Sequence, residues 1–154
     1  MPTQVVTLDW ETWNHAPWKD AFDASVKQYL AKSGEEITEK ELWTVFASAM
    51  LGQADLLLLA ALDQDTLFGW CLCRVQAGTA ITGPLIYLWQ VWVDPRRAKV
   101  TDLWRLAQIP IKAWARNWQS NRLVMLTSRL GPGYKKILSE MGFEPYAVIY
   151  QQRI

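Results

Sequence analysis

The chain has 154 residues, enough for one domain with a real core, and half of them are apolar against a fifth charged, which excludes disorder. A formal charge of +1 supplies no global field toward nucleic acid or a membrane surface, so neither partner is expected and any basic patch must be local. The longest apolar run, Leu56 to Leu62, is far shorter than the ~20 residues that cross a bilayer.

The first residues, Met1-Pro2-Thr3-Gln4-Val5-Val6, carry neither the charged start nor the apolar core of a secretory signal. Gln4 to Leu8 is rich in Val and Thr and reads as a strand. Pro17 suits the first turn of a helix, and Trp18, Phe22, Val26, Tyr29 and Leu30 follow at helical spacing until Gly34. Thr38-Glu39-Lys40-Glu41 is a capping box for a second helix with the stripe Leu42, Val45, Phe46 and Met50, ended by Gly52. Leu56 to Leu62 and Leu67 to Val75 read as two strands joined by Asp63-Gln64-Asp65, with Gly69 marking a bulge or a close approach.

Ala77 to Pro84 reads as a loop. Leu85 to Val93 is apolar and aromatic almost throughout, as expected of a central strand covered on both faces, and Asp94-Pro95 closes it. After the basic turn Arg96-Arg97-Ala98-Lys99 comes the clearest helical period of the chain: Val100, Leu103, Trp104, Ala107, Ile111, Trp114 and Trp118, interrupted by Pro110. Leu123 to Thr127 reads as a strand, Gly131-Pro132-Gly133 leads into a helix with Tyr134, Ile137, Leu138 and Met141, and Tyr146 to Gln151 as a last strand.

The expected order is therefore β-α-α-β-β-β-α-β-α-β, an α/β (α+β) domain spanning 1–154 with a mixed central sheet. Cys71 and Cys73 share one strand face, where they are poorly placed to bond to each other and serve as small apolar fillers. That suits a reducing, cytoplasmic setting, and one histidine with no Cys/His cluster gives no support to a metal site. Ten tryptophans are scattered along the chain; most are expected in the core, with a few available to an interface.

Chemistry is expected where the strand ending at Val93 meets the basic turn and a fresh helix start, because helix N-termini and cations attract phosphates. The local phrases there, together with the element order, resemble the GNAT (GCN5-related N-acetyltransferase) superfamily. Val91-Trp92-Val93-Asp94-Pro95 is similar to the phrase on the family's fourth strand that precedes its pyrophosphate loop. Met141-Gly142-Phe143-Glu144 looks like the segment closing its last helix, and the likeness covers nearly the whole chain.

The resemblance implies that the fourth and fifth strands splay apart around an acetyl-CoA. Pantetheine would pair with the backbone from Gln90 through Val91, Trp92 and Val93. The pyrophosphate would meet Arg96, Arg97, Lys99, Val100 and Thr101. The family's loop has small residues where this chain has Val100 and Asp102, and Asp102 brings negative charge toward the phosphates. The family's general-acid tyrosine falls at Leu138, which transfers no proton; Tyr134, one helical turn earlier, is the nearest phenol. Tyr134 and Gln90 are thus the candidate catalytic side chains; Asp94 reads equally as a base and as a turn residue, and Thr127 and Ser128 read first as groups that satisfy the strand-end backbone and second as groups to position water or bind a carbonyl. The implied function is transfer of an acetyl group from acyl-CoA to an amine acceptor. The alternative is a catalytically degenerate GNAT-like protein, working through protein partners or self-association like the internal virion proteins of short-tailed phages.

Overall fold

In the computed structural model of the chain, residues 3–78, 83–125, 132–145 and 152 are described. Five strands, β1 (Thr3–Thr7), β2 (Leu56–Asp63), β3 (Thr66–Gln76), β4 (Leu85–Val93) and β5 (Leu123–Val124), form one sheet in chain order. The first four are antiparallel neighbours, and β5 joins β4 in parallel. Helices α1 (Trp10–Asn14), α2 (Lys19–Ser33) and α3 (Glu39–Met50) precede β2; α4 (Val100–Asn117) links β4 to β5, and α5 (Pro132–Glu140) follows. The expected last strand, Tyr146 to Gln151, lies outside the described residues, as do Thr127 and Ser128.

Strand alternation divides the core into two layers. Leu58, Ala60, Leu62, Trp70 and Leu72 face α2 and α3, whereas Leu57, Leu59, Ala61, Cys71 and Cys73 face α4. The long apolar runs of β2 and β3 follow from this double coverage. In the first layer Trp70 is fully buried, its ring centroid 5.8 Å from Phe22, 5.2 Å from Tyr29 and 5.2 Å from Phe46. Its indole N–H donates to Ser25 Oγ at 2.8 Å, and Ser25 donates on to the Phe22 carbonyl at 2.6 Å, so the buried polar atoms are satisfied.

The expected capping box is formed: Thr38 Oγ1 accepts from the Glu41 amide at 3.1 Å, and Glu41 accepts from the Thr38 amide at 2.8 Å. Gly34 ends α2 at φ 69°, and α4 runs through Pro110 unbroken. Two readings need correction. Pro17 and Trp18 precede their helix, which begins at Lys19, because Trp18 has non-helical φ −104° and ψ 21°. The short α1 was not expected; Asp9 starts it by accepting from the Thr12 amide at 2.7 Å.

Gly69 proves to be a close-approach point. A Cβ there would lie 3.0 Å from the Trp92 carbonyl and 3.5 Å from both Leu103 methyls, so α4 sits directly over it. The neighbouring irregularity, between Ala61 and Leu62 on β2, leaves Phe68 as the extra residue beside it. Gly69→Val is therefore expected to lower stability by about 1–3 kcal/mol through overpacking, read as a fall in the urea midpoint with an unchanged m-value.

Candidate functional site

The site is built around β4. Its ladder with β5 consists, among the described residues, of Ile86 with Leu123 and Tyr87 with Val124. Leu88 to Val93 continues in the ladder with β3, and its β5-side edge takes part in no ladder among the described residues. A strand edge that no neighbouring strand covers can pair with an extended ligand.

Within that second half the β3–β4 register slips: Cys73 opposes Leu88 and Leu72 opposes Gln90, leaving Trp89 as a bulge residue. The extra residue shifts the alternation. Trp92 and Gln90 lie opposite Trp70 and Leu72 on the α2/α3 side, while Val91 and Leu88 pack toward α4. Trp89 also faces the α2/α3 layer, where the Arg74 guanidinium stacks 4.4 Å from its ring and 5.5 Å from Tyr87. An uninterrupted strand would have turned Gln90 toward α4.

Gln90 is only 1% exposed. Its Nε2 donates to Glu35 Oε2 at 3.1 Å, and Glu35 Oε1 accepts from the Tyr29 hydroxyl at 2.5 Å. Burial first, then the hydrogen bond to Glu35, pushes the Tyr29 phenol far up, so Tyr29 stays neutral and keeps its proton as a donor. Among the described residues Gln90 Oε1 has no hydrogen-bond partner. A buried acceptor left in that state costs about 1–3 kcal/mol. Glu35, brought here from the turn after α2, was not found by sequence reasoning; it lies 55 positions from Gln90, and no motif signals the pairing.

The basic turn is organised by Asp94. Its buried carboxylate accepts from the Arg96 amide at 3.0 Å and from Arg96 Nε and Nη2 at 3.2 and 3.3 Å, with Arg97 Nε 3.6 Å away. The Asp94 carbonyl accepts from the Arg97 and Ala98 amides, both at 3.0 Å. At the start of α4, Asp102 Oδ2 accepts from the Lys99 amide at 2.8 Å. The protein's own carboxylates thus occupy much of the anion-binding capacity of this loop, and the Val100 and Thr101 amides are the helix-start donors outside these contacts. Arg96 and Arg97 also line an open recess of about 490 Å³ with Thr3, Asp63, Asp102 and Arg105, on the β1 side of α4.

The hydrogen bond from Arg96 holds the Asp94 carboxyl below the usual carboxylate range, against an opposing push from burial. A depressed folded-state pKa contributes stability that is complete above the unfolded value, about 3.9, and is lost as pH falls through the folded one. The stability difference between wild type and Asp94→Asn should accordingly be greatest above about pH 5 and close below about pH 3, as urea unfolding across that range will report.

Tyr134 is half-buried on α5 with its hydroxyl 3.9 Å from Met125 Sδ, just past β5. Leu138 follows it on the same helix. The chain turns out of α5 through Gly142 at φ 85°, and Phe143 packs 5.4 Å from Trp104. The two cysteines are free and buried; the hydrogen bond with Cys71, then burial, pushes the Cys73 thiol up, which makes it a poor nucleophile. No helix among the described residues is long and apolar enough to cross a membrane, and none of their His, Cys, Asp and Glu side chains form a group able to hold a metal.

No protein-family model matches this chain, and no curated protein matches it in sequence. Solved structures do. A probable acetyltransferase aligns over 98% of this chain and 97% of its own, with TM-score 0.72 and 19% identity. AAC(6')-Iy, in complex with the bisubstrate analog CoA-S-monomethyl-acetylneamine, aligns over the full length of both chains with TM-score 0.72 and 14% identity. A ribosomal-protein-alanine N-acetyltransferase from Brucella melitensis biovar Abortus 2308 aligns over 99% of this chain and 100% of its own, with TM-score 0.69 and 13% identity. With so little identity the agreement is one of architecture along the entire chain: this protein has the GNAT fold.

Proposed function

We propose that the chain, acting as one domain in a reducing cytoplasm, is an acyl-CoA-dependent N-acyltransferase. The observation that supports this reading is β4 itself: its described ladder with β5 takes in Ile86 and Tyr87, and six further residues, Leu88 to Val93, lead into the basic turn before α4. Pantetheine would pair along Gln90, Val91, Trp92 and Val93, and the pyrophosphate would take the Val100 and Thr101 amides with Arg96, Arg97 and Lys99 around it. AAC(6')-Iy was solved with a CoA-linked bisubstrate analogue, which supports a CoA-type ligand for the shared architecture.

In the reaction, the acceptor nitrogen attacks the thioester carbonyl while β4 amides polarise its oxygen. The new C–N bond forms as the C–S bond breaks, and the proton released by nitrogen ends on the departing thiolate. Tyr134 would deliver it. Proximity and carbonyl polarisation supply most of the rate, so the loss of a tyrosine at Leu138 is tolerable.

A second reading is favoured by Asp94 and Asp102, which fill anion-binding positions that a nucleotide would need. It is a GNAT-shaped protein without catalysis, acting through protein contacts, for instance in a phage particle. Thermal shift with acetyl-CoA separates the two. At a hundred times its dissociation constant the ligand should add about 2.7 kcal/mol of stability, and acylation of an amine should release free thiol. No shift at millimolar acetyl-CoA would leave the second reading standing.

A further inference from the structure

We infer that the outer face of α4 docks on the start of α1 in a second copy of this chain, joining copies head to tail, whether or not the domain is catalytic. The net charge of +1 conceals a strong separation of sign. Residues 1–95 hold twelve Asp and Glu against five Lys and Arg, whereas residues 96–154 hold eleven Lys and Arg against three Asp and Glu. No acid occurs between Asp102 and Glu140. Arg105, Ile109, Lys112 and Arg116 stand at i, i+4, i+7 and i+11 of α4, all exposed, and form one stripe about 16 Å long. None of its three cations makes an ion pair among the described residues, and the helix offers no acid one turn away to pair with them.

Three large apolar side chains stand exposed among the described residues: Ile109 at 71%, Leu51 at 73% and Trp10 at 50%. Ile109 lies in the stripe between Arg105 and Lys112, and Trp10 lies between the exposed Asp9 and Glu11 at the start of α1. Each is an apolar centre flanked by charges of one sign, and the two signs are opposite, which is the complementarity an interface needs. α1 packs through Trp13 against Phe22 and Trp43 on the α2/α3 side of the sheet, while α4 covers the other side. The two patches therefore face away from each other and cannot meet within one molecule. Contact between two copies leaves one patch of each kind exposed at the ends of the pair, so the interface is heterologous and growth continues. A nucleic-acid duplex would match the cations and leave Ile109 without an apolar partner; the start of α1 supplies both.

Sedimentation equilibrium of the full chain tests this. In about 0.05 M salt the mean mass is expected to rise past that of a dimer as concentration increases, and association to weaken about tenfold in about 0.5 M salt, where surface charges are screened. The double variants Ile109→Ser with Lys112→Glu, and Trp10→Ser with Glu11→Lys, should each stay monomeric alone. An equimolar mixture of the two should form a one-to-one dimer that grows no further, because each variant keeps the patch the other has lost. All four positions are exposed, so the variants should fold, and circular dichroism verifies that. A wild type that stays monomeric or stops at a dimer, a variant that associates alone, or a mixture that forms no dimer overturns the assignment. So does a wild type that binds a duplex oligonucleotide without self-associating and loses that binding in the Lys112 variant, which would give the face to nucleic acid.

Discussion

Trp70→Ala is expected to destabilise the protein by about 3–5 kcal/mol, the range for truncating a fully buried tryptophan. The ring touches Phe22, Tyr29 and Phe46 at centroid distances of 5.2–5.8 Å and anchors Ser25 through its N–H, so it joins β3 to α2 and α3 at once. Those helices cannot close over the cavity without losing their own contacts with the sheet. Tyr29, which steadies Glu35, packs on the same ring. Urea unfolding measures the loss directly. Trp10→Ala, at a side chain 50% exposed, should change stability by less than about 0.5 kcal/mol. A loss below about 1 kcal/mol at Trp70 would show that the first core layer is not packed as described.

Asp102→Asn is expected to tighten acetyl-CoA binding about tenfold, equivalent to about 1.4 kcal/mol. The asparagine oxygen can still accept from the Lys99 amide, so the loop keeps its 2.8 Å contact while the negative charge beside the pyrophosphate position disappears. Like charges a few ångströms apart near a protein surface repel by amounts of this order. The substitution also removes an acid from the first turn of α4, which should cost about 0.3–1 kcal/mol of stability. Affinity and stability therefore move in opposite directions. Calorimetric titration reads the first, and an unchanged or weaker affinity would mean that the phosphates do not lie at the start of α4.

The sequence carried the element order because its punctuation is local: the Thr38–Glu41 box, Gly34 and Gly142 in left-handed turns, and the seven-residue stripe of α4 are each read from a few neighbours. The boundaries of β4 were legible for the same reason. What the residues of β4 do was not. Leu85 to Val93 is apolar nearly throughout, so nothing in its pattern betrays the extra residue at Trp89, and the facing of Gln90 depends on that slip. Glu35 was hidden for a different reason. It is one charged residue in a polar turn, and its pairing with Gln90 is set by how the α2–α3 hairpin lies on the sheet.

The basic turn illustrates the limit from the other side. Arg96, Arg97 and Lys99 read from sequence as cations awaiting phosphate, yet Asp94 engages both arginines and Asp102 takes the Lys99 amide. Both acids were visible as residues, and Asp102 was legible as a charge out of place. Its hydrogen bond required coordinates, because a carboxylate three residues into a helix either folds back on the helix start or points to solvent.

The most direct test is to map acetyl-CoA onto the protein by backbone amide NMR. The amides of Leu88 to Val93, Val100 and Thr101 should shift together and saturate at one dissociation constant. Shifts confined to the recess of Thr3, Asp63 and Arg105 across α4, or no saturable shift at all, would contradict a thioester carrier seated along Leu88 to Val93 of β4.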